Sequence, residues 1–362
     1  MKKLVFLMMA SAFLFSCSNN DDPLPNEGNE KGNVVTFEVS AVNGLDNGLN
    51  SRAGLYSQEA VQHITNVQVH AFLKNESGDY VFAKSYTIPD WTDGTTIKRY
   101  SLDANKLDKG TYKFLAVGVD ADSKFIVDDP ATIHTYPDMT AHVNANGDES
   151  ELFAGSADAV IAEGTRVSVQ MTRKVAGVLG YFKNVPQTIT NGATTSTVRY
   201  IRLKSTDSNK RVNLTTGVGV STGTTPLTVL EIDLNGQTVD NGVYTGNDLS
   251  AQGVVKVNNS ELAGAFMMPT GNVSLTLGLY DADGNELKTW VVKDGTSNAF
   301  PILANHFYSL GIKKATGSTD GSTPTTPGNP GDEDAPIDLL TDQSIVITVS
   351  PAWELVHNLV IQ

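Results

Sequence analysis

SIVITVSPAWELVHNLVIQ, residues 344–362, carries an apolar side chain at every odd position from Ile345 to Ile361 except His357. These are Ile345, Ile347, Val349, Pro351, Trp353, Leu355, Leu359 and Ile361. The even positions mix Thr348, Ser350, Glu354, Asn358 and Gln362 with smaller apolar residues. Period-two alternation puts one set of side chains on one face of an extended chain. Over about 17 residues at roughly 3.3 Å each it spans on the order of 55 Å, whereas an ordinary strand has about 5–6 residues. Ahead of it lies a Pro/Gly/Ser/Thr linker, GSTDGSTPTTPGNPGDEDAP (317–336). A long, half-apolar strand on a flexible leash suits the addition of a strand to a neighbour's open sheet.

Upstream of the linker the chain reads as short alternating runs separated by Gly, Asp, Asn and Pro, the pattern of an all-β protein. The first candidate is VVTFEVSAV (34–42), with Val35, Phe37, Val39 and Ala41 on one face. A Gly/Asn-rich stretch without apolar period follows, NGLDNGLNSR (43–52), and reads as an exposed loop closed by Arg52 and followed by Ala53. The first half continues through 66–74, 81–88, 96–102, 111–120, 151–156 and 165–172, with loops or a short helix expected over 123–148, where Pro130 and Pro137 fall. The second half begins at 173–185. It continues through 197–205, 211–216, 227–234, 253–258, 262–269, 273–282, 286–293 and 306–314. About seven strands per half suggest two β-sandwiches, with the boundary near Thr172, where one amphipathic strand runs almost directly into the next.

At 362 residues the chain is long enough for about two domains. A formal net charge of −14 without Lys/Arg clusters argues against a nucleic-acid partner. The single cysteine, Cys17, excludes an intramolecular disulfide. It stands at the end of a basic start (Met1-Lys2-Lys3) and a short apolar run from Leu4 to Phe15, a secretion signal too short for a membrane span. A cysteine there, after Ser16, resembles a bacterial lipobox, in which it becomes the lipidated first residue. The alternative is an incidental cysteine in an ordinary signal peptide. SNNDDPLPNEGNEKGN (18–33) is polar and reads as a disordered tether; its acidic pair Asp21-Asp22 resembles surface-export signals of Bacteroidetes lipoproteins.

Nothing in the chain reads as an enzyme, and no cofactor is expected. The six histidines are scattered, without an HExxH pair. Asp281-Ala-Asp283-Gly284-Asn285-Glu286 is rich in oxygen ligands, but the glycine stands fourth where an EF-hand calcium loop needs it sixth. Asp283-Gly284 favours a type I′ hairpin turn, which is the preferred reading over a calcium site. Gly217-Val218-Gly219 with Gly223 lacks the Lys-Ser/Thr and the helix of a phosphate loop. Trp91, in PDWTDG, reads as a sugar-stacking residue or as a loop anchor.

A lipobox cysteine, a first strand ending in a loop arginine, two sandwich halves and a long terminal strand behind a linker occur here in one order. The combination resembles the fimbrillin family, the pilus subunits of Bacteroidales assembled by the type V route. Three stretches carry the likeness further: TRVSVQMTRKVAGVLGYFKNV (165–185) is similar to the family's inter-domain junction, LANHFYSLGIKK (303–314) to the strand closing its second domain, and ITVSPAWELVHNLVIQ (347–362) to its Ala-Trp-containing C-terminus. The resemblance implies two tandem transthyretin-like β-sandwich domains with a detached C-terminal donor strand. On that reading 1–17 is the signal peptide, 18–33 the tether, 34–172 the first domain (34–52 removable), 173–316 the second, 317–336 the linker and 337–362 the donor strand.

The resemblance also implies an outer-membrane precursor lipidated at Cys17. An arginine-specific protease would cut between Arg52 and Ala53, releasing the displaced strand Val35–Ala41 and leaving a fimbrium outside the cell. The partners would be further copies and other pilus subunits, joined through Ile345, Ile347, Val349, Trp353, Leu355, Leu359 and Ile361, with a host or bacterial surface ligand that no motif identifies. The alternative for Arg52 is an ordinary exposed arginine. A stalk position is favoured, an anchor that keeps its lipid is the alternative, and a glycan-binding surface lipoprotein is the alternative of another class.

Overall fold

The computed structural model describes residues 34–41, 64–92, 95, 97–103, 107–120, 123, 125–143, 149–162, 165–221, 223, 225–247, 258–312, 335–342 and 344–350. The chain is all-β, as its alternating runs require.

The first half opens with β1 (Val34–Ala41), β2 (Asn66–Lys74), β3 (Tyr80–Ile88), β4 (Ile97–Asp103) and β5 (Gly110–Val119). The stretch expected as loops or a short helix contains both and two strands besides: β6 (Phe125–Val127), helix α1 (Pro130–Ile133), one 3-10 turn (Tyr136–Asp138) and β7 (Thr140–Val143). The Asp129 side chain caps α1 by accepting from Ala131 N–H, and Pro130 sits in its first turn. β8 (Leu152–Ile161) and β9 (Arg166–Arg173) complete this half. β8 runs five residues beyond the expected 151–156 because Ala157 and Ala159 still pack against the core.

These strands hydrogen-bond in the order β3-β2-β5-β8-β9-β1-β4. The sheet folds over between β8 and β9, which pair only at Phe153↔Arg173 and Ala154↔Thr172. A Cβ on Gly155 would lie 1.8 Å from the Gln170 carbonyl oxygen, so only glycine permits this crossing. The two layers enclose one core, to which alternate residues of each contribute: Val67, Val69 and Ala71 from β2, Phe114 and Ala116 from β5, Val167, Val169 and Met171 from β9, and Phe37 and Val39 from β1.

The second half begins with β10 (Ala176–Lys183), separated from β9 by Lys174 and Val175. A hairpin of β11 (Thr188–Asn191) and β12 (Thr194–Thr197) precedes β13 (Tyr200–Ser205), β14 (Arg211–Asn213), β15 (Gly219–Val220) and β16 (Leu227–Asp233). A short pair follows, β17 (Val239–Asp240) and β18 (Val243–Tyr244). Then come β19 (Ser260–Met267), β20 (Thr270–Val273), β21 (Leu275–Tyr280), β22 (Glu286–Lys293), β23 (Phe300–Ile302) and β24 (Phe307–Leu310). Past the linker lie β25 (Ile337–Asp338), β26 (Ile345–Val346) and β27 (Thr348–Ser350). Of the expected strand 253–258 only Asn258 is among the described residues.

Two sheets, β19-β10-β24-β27 and β16-β13-β21-β22-β26, share the second core, around Val178, Phe182, Leu203, Leu277, Trp290 and Tyr308. A third small sheet, β15-β14-β7-β6, takes two strands from each half. It covers a third apolar cluster in which Phe72, Leu115, Met139 and Ala141 meet Val212, Leu214 and Met268.

Candidate strand-exchange site

β1 lies inside its sheet. It runs parallel to β9 (Phe37↔Val167, Val39↔Val169) and antiparallel to β4 (Phe37↔Tyr100, Val39↔Lys98). Phe37 and Val39 are fully buried and Ala41 nearly so, while Val35 is placed by its backbone pairing with Leu102. The Phe37 ring meets Phe114 edge-on at 4.9 Å and Tyr86 at 5.8 Å. The intervening Glu38 points outward and pairs with Arg99 at 3.0 Å. Burying Phe37 and Val39 contributes roughly 1.5–3 kcal/mol apiece. Removing β1 would leave β9 and β4 with unpaired backbone groups along facing edges and a groove lined by Phe114 and Tyr86, which is costly until another extended chain fills it.

The proximal part of the terminal segment is docked rather than detached. Its first contact is β25, which runs parallel to β10 (Phe182↔Ile337, Lys183↔Asp338). β26 then adds to the edge of one sheet (Val292↔Ile345), and two residues later β27 adds to the edge of the other (Tyr308↔Val349, Ser309↔Thr348). Ile347 sits between, its N–H bonded to the Lys293 carbonyl at 2.8 Å. One strap thus closes both edges of the second sandwich. Leu339, Ile345 and Ile347 are buried in that core, and Val349 packs against it partly exposed. The expected donor face therefore begins, at Ile345, inside the chain's own second half. Trp353, Leu355, Leu359 and Ile361 lie outside the described residues, as do Cys17, Arg52 and Ala53.

Polar contacts seat the strap. Asp338 accepts from the Asn184 side-chain amide at 2.8 Å and from the Leu340 N–H at 3.0 Å, with the Lys183 ammonium 3.8 Å away. Burial pushes the Asp338 carboxyl up, but these donors and the Lys183 charge outweigh it and hold it below its ordinary value. Trp290 Nε1–H donates to the Asp342 carbonyl at 3.3 Å.

A second polar cluster, which no local signal in the sequence announces, joins the halves. Arg211 on β14 donates to the Asp128 carboxylate at 2.6 Å and to Thr140 Oγ1 at 2.5 Å, and Thr140 in turn bonds Asp128. His142 Nδ1 stands 3.3 Å from the other Asp128 oxygen. At the junction itself, Arg173 and Glu151 form a buried pair at 3.1 Å, with the guanidinium 4.8 Å from the Phe153 ring centre.

The remaining sequence candidates resolve locally. Trp91 is buried in the first core and serves as a loop anchor. Asp281 Oδ1 accepts from the N–H groups of Asp283 and Asn285 at 3.0 and 2.8 Å, and Oδ2 from Asn285 Nδ2 at 2.9 Å. The side-chain bond from Asn285, then its backbone N–H, hold the Asp281 carboxyl below its ordinary value. Gly284 alone in this loop has positive φ, +83°, and its N–H bonds the Asp281 carbonyl at 3.2 Å. The β21–β22 turn thus spans 281–284 with glycine last, instead of the expected type I′ turn centred on Asp283-Gly284.

Comparison with known proteins supplies the wider frame. No curated protein matches the chain. The fimbrial anchor protein Mfa2 from Porphyromonas gingivalis is similar in structure, with 11% identity and a TM-score of 0.40 over 88% of this chain and 97% of that one. A candidate cell adhesion protein from Bacteroides eggerthii shows 15% identity and a TM-score of 0.42 over 89% and 96%. A candidate adhesin from Bacteroides thetaiotaomicron shows 15% identity and a TM-score of 0.43 over 71% and 80%. The family model described as fimbrillin-A associated anchor proteins Mfa1 and Mfa2 matches residues 27–358, and the chain belongs to that family.

Proposed function

We propose that this chain is a structural fimbrial subunit, exported as a lipoprotein and joined to its neighbours by strand complementation, and that it occupies the anchor position. The observation that carries the anchor reading is the docking of Ile345, Ile347 and Val349 on the chain's own second core. A subunit whose donor face is covered from Ile345 to Val349, and whose β1 already fills its own first sandwich, has its own groove closed. It needs no strand from below, as suits the innermost subunit of a fimbrium. The family description, which names anchor proteins, agrees. In this reading Cys17 carries the lipid, 18–33 is the tether, and the sandwich domains 34–172 and 173–316 stand off the outer membrane.

A stalk position is the second reading, and the interior place of β1 favours it. Cleavage after Arg52 would release the strand and open a groove between β9 and β4. A strand donated into it would run parallel to one wall and antiparallel to the other, with alternate apolar side chains replacing Phe37, Val39 and Ala41. Such a head-to-tail joint does not close on itself and makes a filament.

The N-terminus of the protein taken from cell-surface fractions separates the two. An anchor retains Val34–Ala41 and incorporates labelled fatty acid, which Cys17→Ser abolishes together with membrane retention. A stalk subunit starts at Ala53, carries no lipid and forms ladders of multimers that Arg52→Ala prevents. A lipid-free protein that keeps β1 and stays monomeric would sink both.

A further inference from the structure

The outer face of the sheet β16-β13-β21-β22 carries a cavity of about 540 Å3 that strand complementation does not use. Its size falls within the range of small-molecule sites, about 300–1,000 Å3. Tyr280 lines the cavity, and its ring lies over Gly278, where the missing side chain leaves room for it. A Cβ there would lie 2.7 Å from Tyr280 Cε2. Arg202 stacks between Tyr200 and Tyr280, at 4.3 and 5.2 Å from the ring centres, and its charge is taken up by Glu231 at 2.5 Å.

Lys204 is different. Its ammonium stands 4.1 Å over the Tyr280 ring and has no carboxylate at ion-pair distance among the described residues. Glu286 lines the same cavity and has no cation at that distance among them; its contact is the Thr289 hydroxyl at 3.3 Å. Thr206, Thr228 and Thr276 add hydroxyls to the wall.

We propose that this cavity is a binding site for a neutral saccharide held between Lys204 and Glu286. The chemistry favours this class over singly charged and apolar ligands. An anion meets the Glu286 carboxylate, a cation meets the Lys204 ammonium, and an apolar molecule desolvates both without replacing their hydrogen bonds. A sugar hydroxyl donates to the one and accepts from the other, and a chain of vicinal hydroxyls also satisfies the threonines. The site lies outside the groove around β1 and away from the strap's docked face. It therefore stands whether the subunit is an anchor, a stalk subunit or neither.

The test is titration of the full-length processed chain with maltotriose, cellotriose, xylotriose and N,N′,N″-triacetylchitotriose, with trigalacturonate as the acidic control, read by isothermal calorimetry and amide chemical shifts. At least one neutral trisaccharide is expected to bind and shift the amides of 204–206 and 276. Lys204→Ala and Glu286→Gln should each weaken that binding about tenfold or more, with melting temperatures unchanged because both side chains are peripheral to the core. The Lys210→Ala variant, altered outside the cavity, should bind as the parent does. Absence of binding by every neutral sugar at about 10 mM overturns the proposal. Binding that ignores both variants, or that prefers trigalacturonate, overturns it equally.

Discussion

Arg211 and Asp128, 83 residues apart in sequence, meet at 2.6 Å across the sheet that takes two strands from each half of the chain. Asp128 holds the β6–β7 side and Arg211 the β14–β15 side, so this pair and the apolar cluster beneath it link the two sandwiches laterally as well as through the peptide between β9 and β10. Such lateral attachment spreads any load between the halves over a backbone ladder, His142↔Arg211 to Thr140↔Asn213, in addition to the two-residue connection.

Arg211→Ala should therefore cost about 1–3 kcal/mol, because it leaves the Asp128 carboxylate and the Thr140 hydroxyl short of a donor in a partly buried place. Urea unfolding is the measurement. The parent should unfold in one transition and the variant should show the halves separating into two. A single transition at an unchanged midpoint would remove the cluster from any mechanical role.

The strap should respond to both packing and acid. Ile345→Ala, a truncation at a fully buried position, is expected to cost about 2–4 kcal/mol and to expose 335–350 to limited proteolysis while the first sandwich stays protected. The Asp338 carboxyl is held below its ordinary value of 3.8, so its contribution is fully present above that pH and is lost as pH falls through the lower folded value. Protection from hydrogen exchange at Leu339 and Leu340, relative to the intrinsic rate at each pH, should fall below about pH 4 in the parent, and this acid response should shrink in Asp338→Asn.

His70 adds a second loss of stability on acidification, in a milder range. It is buried on β2, bonded through Nδ1 to Ser85 Oγ at 2.7 Å, and burial lowers its pKa from 6.5 to about 4 against a smaller upward pull from Asp129. The unfolded chain takes up a proton near pH 6.5 that the folded one refuses until near 4. Stability should accordingly fall by about 3 kcal/mol across that window from this group alone. Denaturation midpoints at pH 7 and pH 4.5 should lie further apart in the parent than in His70→Gln. Equal spacing in both would show that His70 does not govern the acid response.

Much of the β-architecture is legible in the residues. Val167, Val169 and Met171 alternate in sequence and face one core, as do Val67, Val69 and Ala71, because a strand's side-chain period is a local property of its backbone. Family membership is legible too, since it rests on the order of such elements. Ile345, Ile347 and Val349 show where sequence reading stops. Their alternation determines that one face must be covered, and tertiary packing decides that their own second core covers it. Backbone ladders accept any extended chain, so pattern specifies a face and not a partner. For the same reason the sequence marks 34–42 as a strand, but only the fold places it between β9 and β4. Likewise only the fold brings Asp128 to Arg211, Lys204 to Tyr280 and Asn184 to Asp338. Those contacts depend on where strands far apart in sequence are stacked, and no local period encodes that.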